Sequence, residues 1–165
     1  MLSGVATKVA LEDRRRITSF TGEHQWLSNF WACRVLYMGT AFESVEAAFQ
    51  AAKSEAPEVR RQFASLSPSE AKRRGRQIQL RSDWEQIKLE IMSDLVRQKF
   101  QTPALRAQLL GTGERQLVEV NAWNDTFWGV YRGVGQNQLG IILMKVRSEL
   151  RICAVQPMAL GCAAA

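Results

Sequence analysis

Apolar and polar residues fall along this chain in blocks whose spacing predicts a series of short elements. The clearest block is Phe42 to Lys53. Ser44 is placed to cap a helix there, because its hydroxyl can accept a bond from a free first-turn N–H. Val45, Ala48, Phe49 and Ala52 recur at helical spacing and make one apolar face. Glu46, Gln50 and Lys53 recur on a second stripe. A carboxylate, an amide and an ammonium in line beside a buried face suit the wall of a polar pocket. They suit a solvated stripe of ordinary helix pairs as well.

The blocks on either side have their own signals. Ile17–Phe20 predicts a short strand after Arg14-Arg15-Arg16, a run that suits a solvated face or a phosphate contact. Gly22 to Trp31 predicts a loop in which Trp26, Phe30 and Trp31 alternate with small polar residues. Arg34 to Phe42 predicts strand, turn and strand end, with Gly39 at the turn. Pro57 disfavours helical geometry at Ala56 and can itself start a helix, with Val59, Phe63 and Leu66 as its apolar edge. Ser67-Pro68-Ser69-Glu70 is a capping box opening a short helix that carries Lys72, Arg73, Arg74 and Arg76, with Gly75 near its end. The stretch from Lys72 to Arg81 is the most basic segment, which suits a solvated surface or a phosphate contact. Ser82-Asp83-Trp84-Glu85 repeats the pattern and predicts the longest helix, from about Asp83 to Gln101. Trp84, Ile87, Ile91, Met92, Leu95 and Val96 mark its core face.

Thr102-Pro103 stops that helix and begins another, with Gly111 past its end. Gln116 to Val120 predicts one strand. The stretch Asn121 to Asn137 is too long and too aromatic for a mere connector. Asp125 sits in it among Trp123, Phe127, Trp128 and Tyr131, and Gly129, Gly133 and Gly135 permit close backbone approach. A final helix is expected from about Gln138 to Arg151. Residues 1–13 and 152–165 show no period and are expected to be an N-terminal arm and a C-terminal tail around one domain at 14–151.

Composition narrows the chemistry. A chain of 165 residues, 46% hydrophobic, is long enough for one domain with a sizeable core. Its net charge of +6 favours anionic partners: nucleic acid, phosphorylated metabolites or acidic surfaces. No apolar run has the length of a membrane span, and Met1 to Ala10 does not read as a secretory signal. Cys33, Cys153 and Cys162 are odd in number and scattered, which points to a reducing compartment, the cytoplasm. One histidine, His24, and no CxxC pair argue against a zinc site, and no cofactor is expected. Cys33 reads as a small core residue.

Two carboxylates then stand out, Glu46 on a helix and Asp125 in an aromatic loop. Glycosidic cleavage passes through an oxocarbenium-like state, which one carboxylate stabilises or supplies with activated water while a second acid helps the leaving group. The same logic extends to sugar–nitrogen bonds. Trp and Phe faces suit a planar heterocycle, and Lys53 with the arginines suits phosphate. Glu119 and Asp83 are also acids near aromatics, Asp83 being more simply a first-turn residue facing the helix dipole.

Several of these pieces, in order from about Ile17 to Arg151, resemble the NADAR family, also called the YbiA-like family. They are Trp26-Leu27-Ser28-Asn29-Phe30, Ser44-Val45-Glu46 with Phe49-Gln50-Ala51-Ala52-Lys53, Gly75-Arg76, Trp84-Glu85, Leu117-Val118-Glu119, Asn124-Asp125-Thr126-Phe127-Trp128-Gly129, and Gly133 through Gly140. The resemblance implies a single helix-rich α+β domain with a small, mainly antiparallel sheet. It implies a metal-independent N-glycosidase. Two substrate classes go with it: phosphoribosylamino-pyrimidine intermediates of riboflavin synthesis, and ADP-ribose attached to guanine in nucleic acid. Glu46 and Asp125 inherit the catalytic positions. Ser28, Asn29, Phe30, Gln50, Lys53, Trp84, Trp128, Gly129, Gly133 and Asn137 inherit substrate-binding positions. Many members carry His and Tyr where this chain has Ala47 and Ala48, which is expected to shrink the wall near the carboxylate. The alternative is a non-catalytic module that binds ADP-ribose or nucleic acid.

Overall fold

In the computed structural model the described residues are 15–155. The arm expected at 1–13 and the tail beyond Val155 lie outside them. The chain runs β1 (Arg16–Ile17), a 3-10 turn (Gly22–Leu27), β2 (Ala32–Tyr37), β3 (Thr40–Ser44), α1 (Val45–Ala51), α2 (Pro57–Arg61), α3 (Pro68–Arg74), α4 (Trp84–Lys99), α5 (Pro103–Gly111), β4 (Gln116–Leu117), β5 (Val120–Asn121), β6 (Val130–Tyr131) and α6 (Gln138–Val155). The fold is α+β and rich in helix. None of the described helices is long and apolar enough to cross a membrane.

Helix α1 is the centre. The Ser44 hydroxyl accepts from Ala47 N at 3.0 Å, so the expected cap forms. All seven residues of α1 are buried. The second stripe is therefore no solvated face: Glu46 and Gln50 go into the interior with the alanines. Ala47 and Ala48 are wholly buried and pack in the core. Around α1 pack α3, α4 and the β2–β3 hairpin. Met38 and Gly39 close that hairpin with φ of 47° and 75°, a two-residue turn matched to strand twist, as Gly39 led one to expect.

The antiparallel β2–β3 ladder is the longest pairing; two short parallel pairs, β1–β4 and β5–β6, form separate two-stranded sheets, the second holding the two ends of the aromatic loop together. Five expectations change here. Gln116 to Val120 is not one strand. Leu117 pairs with Ile17 and Val120 with Val130, so the run changes partner between them. The strand expected at Ile17–Phe20 shortens to Arg16–Ile17. The second capping box does not form: Asp83 is the N-cap residue without a side-chain cap bond, because Arg81 takes its carboxylate through two bonds of 2.6 and 3.0 Å. The Ser67 box does form. Helix α5 includes Gly111, and α6 continues four residues past Arg151, so the stretch 152–155 expected in the tail is helical.

Candidate active site

A cavity of about 630 Å³ opens where α1, α3 and α4 meet two loops. Glu46 and Gln50 enter it from α1, and Lys53 from the turn just beyond. The two buried polar side chains satisfy each other in part, Gln50 Oε1 being left without a partner among the described residues. Gln50 Nε2 donates to Glu46 Oε1 at 2.8 Å. Gln50 is held in turn by Gly75: a Cβ there would lie 2.0 Å from Gln50 Oε1. Burial pushes the Glu46 carboxyl above its ordinary pKa, and Asp125 adds to this. Lys72, the Gln50 bond and Lys53 oppose it. Burial likewise lowers Lys53, with Glu46 opposing and Arg76 and Lys72 reinforcing.

The Ser28-Asn29-Phe30 segment forms the opposite lip. It is gripped from two sides. Glu46 N donates to Asn29 O at 3.0 Å, and the buried Lys99 ammonium donates to Ser28 O at 2.7 Å. Asn29 Nδ2 meets Met92 Sδ at 3.4 Å, while Asn29 Oδ1 is buried with no partner among the described residues. Trp26, from the same aromatic stretch, packs edge-on against Phe100 in the core and does not line the cavity.

Aromatic rings make the floor. Phe49 lies 4.9 Å from Trp84 and 5.2 Å from Trp128, and Trp128 lies 5.0 Å from Phe127, centroid to centroid. Lys53 sits 5.9 Å from the Trp84 ring. At the mouth, Lys72 lies 5.4 Å from the Phe30 ring and 5.7 Å from that of Trp123, and Trp123 is 59% exposed.

The aromatic loop is built on two side chains. Asn121 Oδ1 accepts from Trp123 N and Asp125 N, and Asn121 Nδ2 donates to Asp125 O at 2.7 Å. Asp125 Oδ1 accepts from Phe127 N and Trp128 N at 3.1 and 2.9 Å. Asp125 thus both lines the cavity and fixes the two aromatic residues after it.

The structure brings together Glu46, Asp125, Ser28, Asn29, Phe30, Gln50, Lys53, Trp84 and Trp128 on one cavity. Gly129, Gly133 and Asn137 do not line it, contrary to expectation, and each has a backbone reason. Gly133 has φ of 81° in the turn that joins Tyr131 and Val134. A Cβ on Gly129 would lie 2.3 Å from Glu119 O. Asn137 bridges two segments, donating to Leu117 O at 2.9 Å and accepting from Glu119 N at 3.0 Å.

Among the further lining residues that carried no site assignment in the sequence are Lys72, Arg76, Lys88, Trp123 and Glu119. Lys72 and Arg76 belong to the basic segment read as a possible phosphate contact. Two others of that segment are used elsewhere: Arg81 pairs with Asp83, and Arg74 with Gln62. Arg15 and Arg16, from the N-terminal run, do not line this cavity. Lys88 carried no signal, since i,i+3 pairing with Glu85 explains it fully from sequence. Among the described residues no group of three His, Cys, Asp or Glu side chains could hold a metal ion.

The chain is 41% identical to a Vibrio vulnificus riboflavin biosynthesis protein over 135 residues, 78% of this chain but only 36% of that protein. It is 38% identical to Escherichia coli N-glycosidase YbiA over 130 residues, 76% of this chain and 81% of the relative. A Nostoc punctiforme N-glycosidase is 39% identical over 132 residues, covering 75% of this chain and 84% of its own. The NMR structure of E. coli YbiA superposes with a TM-score of 0.75 at 33% identity, covering 90% of each chain. The NADAR domain model matches residues 18–151, and this chain belongs to the NADAR family.

Proposed function

We propose that the chain is a cytoplasmic N-glycosidase that hydrolyses the bond between a ribose and a nitrogen heterocycle. The observation that carries this reading is the meeting of Glu46 and Asp125 on one aromatic-floored cavity beside Lys53, Lys72 and Arg76. A volume of about 630 Å³ is of the size that holds a nucleotide-like ligand. The Trp84–Phe49–Trp128 floor offers faces for a heterocycle, and the cations offer contacts for phosphate.

Each residue then has a role. Glu46, held through Gln50, takes a proton from the attacking water and opposes the positive charge that develops on the sugar. Asp125 orients the ribose. The free Asn29 Oδ1 accepts from a sugar hydroxyl. The names of the relatives, N-glycosidase and riboflavin biosynthesis protein, support the same chemistry. No step calls for a metal.

Two substrates follow: ADP-ribose linked to guanine in nucleic acid, and a phosphoribosylamino-pyrimidine. Incubating the protein with each and assaying freed heterocycle and freed sugar tests the reading. Release from either supports it. Saturable binding without release, with a steep salt dependence, means a non-catalytic module instead.

A further inference from the structure

Glu119 is the cavity carboxylate that the account above leaves without work. It sits in the gap between β4 and β5, where the run changes partner. Its backbone is clamped at both ends: its N–H donates to Asn137 Oδ1 at 3.0 Å, and its carbonyl accepts from Val130 N at 2.8 Å. Gly129 lies so close to that carbonyl that a Cβ would meet it at 2.3 Å. Asn137 and Gly129 therefore serve the cavity indirectly, by fixing the peptide that carries this acid. The side chain turns into the cavity and takes no hydrogen bond from any described residue.

We propose that Glu119 is a catalytic residue, the proton donor to the departing heterocycle. This rests on the glycosidase reading. The three cavity carboxylates divide the work by their partners. Glu46 has a Gln50 donor and two lysines in reach, which oppose the rise that burial gives its carboxyl. Asp125 spends Oδ1 on two backbone donors, Phe127 N and Trp128 N. Glu119 has neither. It faces Asp125 from the aromatic loop and Glu46 from α1, with Lys72 from α3 the cation that opposes them. Lys53, Arg76 and Lys88 line the same cavity. Burial and the two anions push Glu119 up to about 7, so near neutrality it can hold a proton and give it away.

The step balances. The carbon–nitrogen bond breaks with its electron pair on nitrogen, which takes the Glu119 proton. Water adds to the ribose carbon and Glu46 takes its proton. The products are the free heterocycle and the ribose hydroxyl, and the two glutamates exchange protons back through solvent.

The test compares wild type, Glu119→Gln and Glu119→Asp on whichever of the two substrates the wild type hydrolyses, across pH 5–9. A lost general acid should lower kcat by roughly 10²- to 10⁴-fold in Glu119→Gln with little change in KM. The wild-type fall in kcat as pH rises through about 7 should vanish in Glu119→Gln and return in Glu119→Asp, which keeps the proton on a shorter arm. A thermal midpoint near wild type shows that the isosteric variant folds. Glu119→Gln within about threefold of wild-type kcat, with the alkaline fall retained, overturns this role and leaves the glycosidase standing. Hydrolysis of neither substrate by the wild type overturns both.

Discussion

Lys99 shows what the site demands of single residues. Its ammonium is buried and reaches the Ser28 carbonyl to hold the cavity lip. Burial lowers its pKa to about 7, with Cys33 opposing slightly. An unfolded chain keeps that proton to about pH 10.4. Between these values the unfolded state binds more protons, so stability must rise with pH across the window. Below about 7 both states are charged and the full burial cost is felt. The gain is at most on the order of 5 kcal/mol. Denaturant unfolding of wild type and Lys99→Met from pH 6 to 10 reads it directly: the wild-type stability should climb relative to the variant, and parallel curves contradict this. Nothing in the local sequence marks Lys99, because it looks like the last cation of a helix facing the dipole. Glu46 was legible, since spacing alone set it beside Gln50. Glu119 was seen only as an acid near aromatics, because its clamp joins residues distant in sequence.

Among the elements, α1 carries the site. Its start was legible because a cap is a local device: Ser44 and Ala47 are three residues apart. Ser44→Ala should cost about 1 kcal/mol in denaturant unfolding. An unchanged midpoint would mean that tertiary packing alone fixes the helix start. Packing between elements was not legible. Gly75 reads as a helix end, yet its lack of a side chain makes room for Gln50. Gly75→Ala should destabilise by about 1–3 kcal/mol through overpacking. It should also lower kcat, because Gln50 cannot shift without releasing Glu46. A stable Gly75→Ala protein with wild-type kcat would contradict that coupling. The second capping box failed for a related reason. Ser82 and Glu85 have the right spacing, but Arg81 competes for Asp83 and moves the start. The run 116–120 looked like one strand because alternation records which face is buried, and says nothing of which neighbour pairs.

At the scale of the molecule, the fold gathers one cavity from six stretches: Phe20–Thr21, the Ser28–Phe30 lip, α1 with its following turn, the basic segment of Lys72 and Arg76, the first half of α4, and the loop from Glu119 to Trp128. Periodicity could not place them together. The ordered set of short motifs did, and the partner change between β4 and β5 is what delivers the last of them. The basic charge concentrates in part at this opening, through Lys53, Lys72, Lys88 and Arg76. The central claim is that this cavity uses Glu46 to add water across a ribose–nitrogen bond. The most direct measurement is mass spectrometry of the products formed in oxygen-18 water, from ADP-ribosylated guanine oligonucleotide and from a phosphoribosylamino-pyrimidine, by wild type and by Glu46→Gln. One substrate should yield free heterocycle and a ribose carrying a single heavy oxygen with the wild type, and essentially none with the folded variant. Equal turnover by Glu46→Gln, or no cleavage of either substrate by the wild type, would contradict the account.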